Sequence, residues 1–278
     1  MQVLFSPAKL NLFLEVVSRR DDGYHDIETI FARISLYDVI YADLQPGRGD
    51  VFIEMTGGPN IPLNKNLCYR IAKLYLQLAG ISHIDVSIQI HKYIPAGAGL
   101  GGGSGNAATI LKWLNTYFRK FDDQELRNIA KQVGCDVPFF LLEKPWAVGK
   151  GRGELLKSLN NFPKAKFIVV FPGIEIPTGK IYSGLKLTYQ PVSVKISTSI
   201  ENFEDFCFNR LLEVVERFYP QVKEMRHLLS RTAGCKFFLT GSGGALFAPY
   251  KDEDKVNWES LLCLVKDKGW HLWCVESV

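Results

Sequence analysis

A ten-residue segment, GAGLGGGSGN at 97–106, contains six glycines and constrains the fold more than any other part of the chain. Glycine loses much conformational entropy on folding, so this density requires a physical reason. A strand-like stretch at 85–94 precedes the segment and a helical stretch at 107–118 follows it, which argues against a flexible linker. Successive glycine N–H groups and a helix start bind anions, so we predict a phosphate cradle. It comprises Pro95, Ala96, Gly97, Ala98, Gly99, Leu100, Gly101, Gly102, Gly103, Ser104, Gly105 and Asn106.

Two common phosphate-binding motifs do not describe this segment. A Walker A loop needs Gly-Lys followed by Ser or Thr, but Gly179 and Lys180 are followed by Ile181. The first glycines satisfy the dinucleotide-binding pattern G-x-G-x-x-G, yet that motif needs its helix to lead into a second parallel strand. A second helical pattern, at 122–134, follows instead. The segment therefore belongs to neither class.

The composition indicates a globular protein with a large core, since 47% of the 278 residues are hydrophobic and 22% are charged. The formal net charge of +4 is too small and too dispersed to indicate nucleic-acid binding. The sequence contains no basic signal-peptide start, no apolar run long enough for a membrane span, and no metal-binding pair of the Cys-x-x-Cys or His-Glu-x-x-His type. We expect a cytoplasmic protein without a dedicated metal site.

Hydrophobic periodicity predicts strands and helices without strict alternation, which is typical of the α+β class. A helical period runs from Asn64 to Leu78, with Leu67, Ile71, Leu74 and Leu78 on its apolar face, and Gly80 is the expected stop. The polar stretch at 157–166 is the candidate linker between two domains, 1–158 and 159–278. Predicted strands are 8–14, 27–44, 51–55, 85–94, 167–171, 235–239, 245–249 and 270–277; predicted helices are 64–78, 107–118, 122–134, 201–219, 221–230 and 253–267.

The segment PAGAGLGGGSGNAA at 95–108 resembles the phosphate loop of the GHMP kinases, the family of galactokinase, homoserine kinase and mevalonate kinase. Six further blocks follow the family order: SPAKLNLFLEV (6–16), DGYHDIET (22–29), GCDVPFF (134–140), GKGRGE (149–154), IPTGKIY (176–182) and LTGSGGALF (239–247). The resemblance covers nearly the whole chain. It implies a two-domain GHMP kinase fold, with a ribosomal-protein-S5-like N-terminal domain and a ferredoxin-like C-terminal domain. It also implies transfer of the γ-phosphoryl group of ATP to an alcohol.

The resemblance assigns catalysis to Lys9 and Asp136. Asp136 would accept the proton of the substrate hydroxyl; from the residues alone, the alternative is a helix cap. Lys9 interrupts an apolar strand, where a charge must reach solvent or meet an anion. By resemblance it pairs with Asp136, and the alternative is a charge that protects an edge strand. Two positions depart from the family pattern, because Gly105 replaces a usual Ser and Cys135 a usual Ala.

The resemblance also implies a site for a cytidine diphosphate substrate. Tyr24 and His25 follow a turn signal and would contact the cytosine, with Tyr182 on the opposite face of the base and Thr178 nearby. Stacking on aromatic rings contributes about 1–3 kcal/mol per base. Packing alone is the alternative for this set.

Four more residues complete the predicted site. Asn11 shares the strand face of Lys9 and is expected to bind the same ligand. Gly241 opens a glycine turn that would lie near the substrate, and a tight hairpin is the alternative. Asn66 and Lys92 are the candidates for the ATP adenine pocket, with ordinary solvated side chains as the alternative.

The predicted cofactors are ATP and Mg²⁺ carried in with the nucleotide, bound in a cleft between the two domains. The predicted partners are small molecules, with no nucleic acid and no membrane, and the chain is expected to be a monomer or weak dimer. Two alternatives remain open: a GHMP kinase of the homoserine or mevalonate type, and a catalytically inactive nucleotide-binding module. The aromatic set argues against the first alternative, and the pair of Lys9 and Asp136 argues against the second.

Overall fold

The computed structural model describes residues 1–187, 191–192 and 203–278, and it divides into two compact units. Unit 1 comprises Met1–Ala8, Leu36–Ala96 and Gly101–Glu143; unit 2 comprises Lys9–Ser35, Gly97–Leu100 and Lys144–Val278. Strands β1 (Gln2–Arg19) and β2 (His25–Pro46) each contribute residues to both units. The predicted boundary between residues 158 and 159 is a different division of the chain and stays a prediction.

Unit 1 contains parts of β1 and β2, which are neighbours in one sheet, together with two further strands and three helices. Its further elements are β3 (Val51–Thr56), α1 (Leu67–Ala79), β4 (Ile84–His91), α2 (Gly102–Phe118), α3 (Asp123–Val133) and a 3₁₀ helix, Val137–Leu141. Strand β4 pairs antiparallel with β2 and parallel with β3. A parallel pair needs a crossover connection, and α1 supplies it between β3 and β4. The structure confirms the type of each predicted strand and helix in this unit, although several of their ends differ from the prediction.

Helix α1 has defined signals at both ends. The Oδ1 atom of Asn66 accepts the N–H groups of Cys68 and Tyr69, and Gly80 ends the helix with a φ of 67°. The predicted apolar face was partly wrong, because Leu78 is exposed. The buried face consists of Cys68, Ile71, Ala72, Tyr75 and Leu76.

Helix α2 begins at Gly102, earlier than the predicted start at 107. Glycine is a poor helix former, so propensity alone places these residues in a loop. Buried residues along the helix, such as Ile110 and Leu114, hold it in place, and the helix extends back through the glycines. Tertiary packing therefore overrides the local preference.

Unit 2 contains a four-stranded antiparallel sheet with helices. Its elements are β5 (Trp146–Lys150), β6 (Leu155–Ser158), β7 (Lys166–Phe171), α4 (Thr178–Ser183), β8 (Phe208–Asn209), α5 (Leu212–Phe218), α6 (Pro220–Ala233), β9 (Phe238–Leu239), β10 (Leu246–Tyr250), α7 (Trp258–Lys268) and β11 (His271–Glu276). The sheet order is β11-β7-β10-β9, with helices between β7 and β9 and between β10 and β11. This is the ferredoxin-like order that the resemblance implied. Its buried core includes Val170, Leu229 and Leu246.

The remaining strands of unit 2 pair outside that sheet. Strand β5 pairs antiparallel with β2 and with β6, and β8 pairs parallel with β1. Both faces of β1 are buried from Ala8 to Val16, although an alternating pattern is typical of a strand with one solvent face.

Two further predicted elements, besides the start of α2, differ from the structure. The helix predicted at 201–219 begins only at Leu212; residues 201–202 lie outside the described residues, and a 3₁₀ helix, Phe203–Phe206, and strand β8 precede it. Phe203 stacks on Trp146 at 5.7 Å between ring centroids, so a distant contact determines the local structure. The strand predicted at 235–239 is limited to β9. Across the described part of the chain, no helix is both long enough and apolar enough to cross a membrane.

Candidate active site

The first part of the glycine segment, Gly97–Leu100, lies in unit 2. Gly97 and Gly99 have φ values of 65° and 83°, in the left-handed region that favours glycine. A Cβ on Gly99 would lie 2.3 Å from the carbonyl oxygen of Thr240, and one on Gly97 would lie 2.8 Å from Cβ of Glu175. Close packing against neighbouring residues therefore requires these glycines. This is a structural reason for them, in addition to the predicted phosphate binding.

The turn at 241–244 packs on this stretch. The turn joins β9 to β10, as the hairpin alternative expected. Directly after the turn, the N–H of Ala245 donates to the carbonyl of Ala98 at 3.1 Å. A Cβ on Gly243 would lie only 2.0 Å from the carbonyl carbon of Ala98. The structure thus brings Gly241 and its neighbours to the glycine segment. Contact between Gly241 and a substrate stays a prediction.

The second part of the segment begins α2 and lies in unit 1. Gly101 is the N-cap, and the first bond of the helix runs from the Gly105 N–H to the Gly101 carbonyl at 2.9 Å. A helix leaves its first N–H groups without partners in the helix and carries partial positive charge at that end. In α2 these groups belong to Gly102, Gly103 and Ser104, so this part of the predicted cradle has N–H groups free of helical bonds, and phosphate binding stays a prediction.

Gly105, where the family pattern has Ser, leaves no room for a side chain. A Cβ there would lie 2.5 Å from the carbonyl oxygen of Pro7 and 3.1 Å from Oγ of Ser6. Gly103 differs, because the nearest atom to its Cβ position is Cδ1 of Leu67 at 3.9 Å. Glycine in place of the usual Ser at position 105 therefore allows α2 to pack closely against the first part of β1.

Lys92 forms a buried ion pair with Asp38; the two side chains are 7% and 0% exposed. The other oxygen of Asp38 accepts the N–H groups of Tyr93 and Ile94 at 2.8 and 2.9 Å. The Lys92 ammonium lies 3.0 Å from the position that a Cβ would take on Gly102. A buried cation therefore stands beside the start of α2, and the solvated alternative for Lys92 is wrong.

Asn66 and Asp136 both stand at helix starts of unit 1, but they differ in what the side chain does. Asn66 is buried and caps α1, so it is not an ordinary solvated residue either. Asp136 is half-buried at the N-cap position of the 3₁₀ helix Val137–Leu141, and its carboxylate does not cap that described helix. The helix-cap alternative is therefore wrong for Asp136. The ATP contact of Asn66 and the catalytic role of Asp136 stay predictions.

Lys9 is buried in β1, with 4% of its surface exposed, so the alternative of a solvated edge-strand charge is wrong. Its ammonium donates to Oδ1 of Asn11. The Asn11 backbone N–H donates to Oγ1 of Thr240 at 2.9 Å, and its side-chain Nδ2 donates to Oγ1 of Thr29 at 2.8 Å. Strand β1 therefore presents Lys9 and Asn11 within one buried polar network of unit 2, as the shared face predicted.

The network fixes the orientation of the Asn11 amide. The Thr29 hydroxyl donates its proton to the carbonyl of Phe13 at 2.6 Å, so it must act as acceptor toward Asn11. Asn11 therefore turns its NH₂ group to Thr29 and its oxygen to Lys9. Lys9 and Asp136 belong to different units, and their pairing stays a prediction.

The loop before β2 presents Tyr24 from a tightly bonded turn. The Tyr24 N–H donates to Oδ1 of Asp22 at 3.1 Å, and its carbonyl accepts the N–H of Arg20 at 2.9 Å. Gly23 has a φ of 83°, as the turn signal predicted. The Tyr24 side chain is 54% exposed, and the guanidinium of Arg152 lies 4.8 Å from its ring centroid. The ring is thus held by a cation rather than buried in a core.

His25 and Tyr182 lie together in unit 2, with ring centroids 5.3 Å apart and planes tilted by 36°. Burial lowers the pKa of His25, and the nearby Arg19 cation lowers it further. Thr178, on the same helix as Tyr182, shares a hydrogen bond with Oγ of Ser242 at 2.8 Å. The structure therefore brings three of the predicted cytidine residues onto neighbouring elements, and their contacts with a base stay predictions.

Sequence reasoning missed several polar residues that support these groups. Their common feature is that each is buried or half-buried and bonds to a predicted site residue from a distant part of the chain. They are Thr29, Asp38, Arg152, Thr240 and Ser242. Thr240 and Ser242 lie inside the LTGSGGALF block, and Arg152 lies inside GKGRGE, so the ordered blocks were the available signal.

No cluster of three or more His, Cys, Asp or Glu side chains suited to a metal ion occurs among the residues that the structure describes. A divalent ion that enters with a nucleotide needs no such cluster, because Mg²⁺ is usually held by phosphates, water and one or two protein oxygens.

The chain matches two family models, the GHMP kinases N terminal domain at residues 66–144 and the GHMP kinases C terminal domain at 196–257. It is 36% identical to the 4-diphosphocytidyl-2-C-methyl-D-erythritol kinase of Syntrophus aciditrophicus, over 100% of both chains. A crystal structure of 4-(cytidine 5′-diphospho)-2C-methyl-D-erythritol kinase superposes with a TM-score of 0.81 and 32% identity, over 100% of both chains.

More distant structures share the fold alone. The mevalonate kinase of Methanococcus jannaschii has a TM-score of 0.68 at 16% identity, and covers 100% of this chain and 98% of its own. The predicted two-domain GHMP kinase fold is thereby confirmed. The chain belongs to the GHMP kinase family, among relatives named 4-diphosphocytidyl-2-C-methyl-D-erythritol kinase.

Proposed function

We propose that this protein transfers the γ-phosphoryl group of ATP to the 2-hydroxyl of 4-diphosphocytidyl-2-C-methyl-D-erythritol, in the non-mevalonate route to isoprenoid precursors. One observation carries the choice of substrate: relatives with that name match the chain from end to end, at 36% and 37% identity. The buried network of Lys9 and the open first turn of α2 support the phosphoryl-transfer chemistry.

Phosphoryl transfer depends mostly on positioning and on charge stabilisation. Asp136 accepts the proton of the substrate hydroxyl as that oxygen attacks the γ-phosphorus and the bond to the β-phosphate oxygen breaks, which releases ADP. Lys9, oriented by Asn11, stabilises the negative charge that develops on the attacking oxygen. The backbone N–H groups that follow Pro95, in residues 96–106, hold the triphosphate.

Mg²⁺ carried in with ATP would neutralise charge on the phosphates. The hydroxyl of Ser104, in the first turn of α2, would be one protein oxygen for this ion. Since Gly105 lacks the usual second hydroxyl, Ser104 carries this contact alone within the glycine segment. Asn66 and Lys92 border the nucleotide, with Lys92 oriented by Asp38.

Tyr24, His25, Thr178 and Tyr182 form the cytidine site, and Gly241 approaches the substrate from the turn beside Asn11. A Cβ on Gly241 would lie 3.3 Å from Oδ1 of Asn11, so the turn and the amide are neighbours. The exposed ring of Tyr24 and the contacting rings of His25 and Tyr182 offer the flat surfaces that a pyrimidine requires.

A single assay distinguishes this proposal from its alternatives. ADP release is measured with the cytidine diphosphate substrate, mevalonate or homoserine supplied in turn at equal concentration. We expect release only with the cytidine diphosphate substrate. Release with mevalonate or homoserine alone would contradict the substrate, and no release with any of the three would favour the inactive nucleotide-binding module.

Asp136→Asn tests the proposed base. Turnover should fall about 10²-fold or more, because the amide cannot accept the hydroxyl proton, while ATP affinity stays near that of the wild type. Asp123→Asn is the matched control, since Asp123 is an exposed carboxylate in the first turn of α3, and its turnover should be unchanged. Near-normal turnover of Asp136→Asn would rule out the role of Asp136 as base.

We further propose a cytoplasmic location and a monomer or weak dimer, with only small molecules as substrates. Light scattering across a concentration series tests the assembly state. A mass of twice 31.4 kDa that persists on dilution would contradict it.

A further inference from the structure

The turn between β5 and β6 contains a residue that the proposed mechanism does not use. The turn is built from Gly151 and Gly153, whose φ values are 67° and 106°, with Arg152 between them. The Gly153 N–H donates to the carbonyl of Lys150 at 3.0 Å, which closes the turn. The carbonyl of Gly151 accepts the N–H of Ile27 at 2.6 Å. The turn is therefore bonded directly to β2, the strand that begins at His25 immediately after Tyr24.

Arg152 is fixed at both its backbone and its side chain. Its backbone N–H donates to Oε2 of Glu154 at 2.7 Å, and its guanidinium lies 4.8 Å from the ring centroid of Tyr24. A guanidinium at this distance is attracted to the negative face of an aromatic ring. One face of Tyr24 is thus covered by a cation, although the side chain as a whole is 54% exposed.

We propose that Arg152 is a positioning residue for pyrimidine recognition: it covers one face of the Tyr24 ring and holds the ring so that the other face stacks on the base. This inference rests on the proposed cytidine site. An exposed tyrosine samples several rotamers, and ordering it on binding costs free energy. A ring already held by a cation loses less freedom when the base arrives, so binding is tighter.

The opposite arrangement gives the opposite result. If the base used the face of Tyr24 that Arg152 covers, the guanidinium would have to leave before the base could stack, and removal of Arg152 would strengthen binding. The direction of the change therefore distinguishes positioning from obstruction.

The test measures binding of cytidine 5′-diphosphate to the intact protein by isothermal titration calorimetry, for Arg152→Ala, Arg152→Lys, Tyr24→Leu and the double variant Arg152→Ala/Tyr24→Leu. We expect Arg152→Ala to weaken binding about two- to fivefold and Arg152→Lys to recover part of that loss, because a lysine also binds an aromatic face. In the Tyr24→Leu background, the Arg152 substitution should change nothing further. The turnover number at saturating substrates should be unchanged by Arg152→Ala.

Lys236→Ala is the matched control, since the Lys236 ammonium lies 5.1 Å from the Phe238 ring in the same unit and is not assigned to the site. Its affinity for cytidine 5′-diphosphate should equal that of the wild type. Unchanged or tighter binding by Arg152→Ala would overturn the inference, as would an equal loss in the wild-type and Tyr24→Leu backgrounds. Wild-type affinity in Tyr24→Leu alone would instead refute the cytidine site itself, and the positioning role with it.

Discussion

The glycine segment at 97–106 and the cytidine region around Tyr24 are built in different ways. In the first, backbone N–H groups carry the predicted chemistry, and neighbouring backbone approaches so closely that a Cβ on Gly99 or Gly105 would lie 2.3 or 2.5 Å from a carbonyl oxygen. In the second, side chains carry it, and the Tyr24 ring is 54% exposed. At Gly99 and Gly105 the glycine segment requires residues without a Cβ, because a side chain there would collide with neighbouring backbone. The cytidine region instead requires particular side chains.

This difference predicts where substitutions are tolerated. A change at a tightly packed glycine of the segment, such as Gly99 or Gly105, should disturb folding as well as nucleotide binding, because the same close contacts support both. A change in the cytidine region should alter affinity for one substrate and leave the fold intact. Three substitutions, with Gly103→Ala as a control, test this contrast.

Gly105→Ser, which restores the residue usual in the family, should have the largest effect. Its Cβ would lie 2.5 Å from the Pro7 carbonyl, so the backbone must shift, at a cost of about 1–3 kcal/mol in stability. Thermal unfolding followed by circular dichroism measures it. Gly103→Ala is the control, because the nearest atom lies at 3.9 Å and alanine favours a helix, so its stability should be unchanged or higher. Equal stability of the two variants would contradict the comparison.

Tyr24→Leu should raise the KM for the cytidine diphosphate substrate about tenfold, because stacking contributes about 1–3 kcal/mol per base. The KM for ATP and the unfolding temperature should stay near wild-type values, since the side chain is largely exposed. Steady-state kinetics with each substrate varied in turn checks the result. A parallel rise in both KM values would show that the cytidine region is not separate from the nucleotide site.

The smallest expected effect is a pH dependence through His25. Burial lowers the pKa of this imidazole below its ordinary 6.5, so the folded protein keeps it neutral at neutral pH. The unfolded chain binds the proton first as the pH falls below 6.5, so this group's contribution to stability is complete above 6.5 and is lost below it.

Affinity for the cytidine diphosphate substrate should follow the neutral form. We expect a constant KM between pH 8 and 6.5 and a rise of about two- to threefold below that range, as the imidazole becomes charged. His25→Gln should remove the pH dependence, although its KM is higher throughout. A pH profile that is unchanged in His25→Gln would exclude His25 as its source.

The ordered blocks of the sequence predicted the fold class and the candidate residues, because short-range patterns of strand, helix and turn persist in the structure. They did not predict that α2 would start at Gly102, since glycine disfavours a helix and only packing along α2 overcomes that preference. The blocks also did not predict strand β8, at Phe208–Asn209, because its pairing with β1 joins residues far apart in the chain.

Supporting residues were harder to predict than the residues that they support. Asp38 is part of an ordinary-looking strand pattern, and its bond to Lys92 spans more than fifty positions of sequence. Thr29 resembles any β-branched strand residue until its bonds to Asn11 and Phe13 are seen. Such partners depend on tertiary contacts, which no local period encodes.

The fixed amide of Asn11 has a consequence for chemical ageing of the protein. Deamidation to aspartate would replace NH₂ by an oxygen that faces the Thr29 hydroxyl, whose proton is already given to Phe13, so two acceptors would meet. The new negative charge would also offset the ammonium of Lys9. One hydrolysed amide, with almost no change in shape, would then alter both the hydrogen bonding and the charge of the buried network around Lys9.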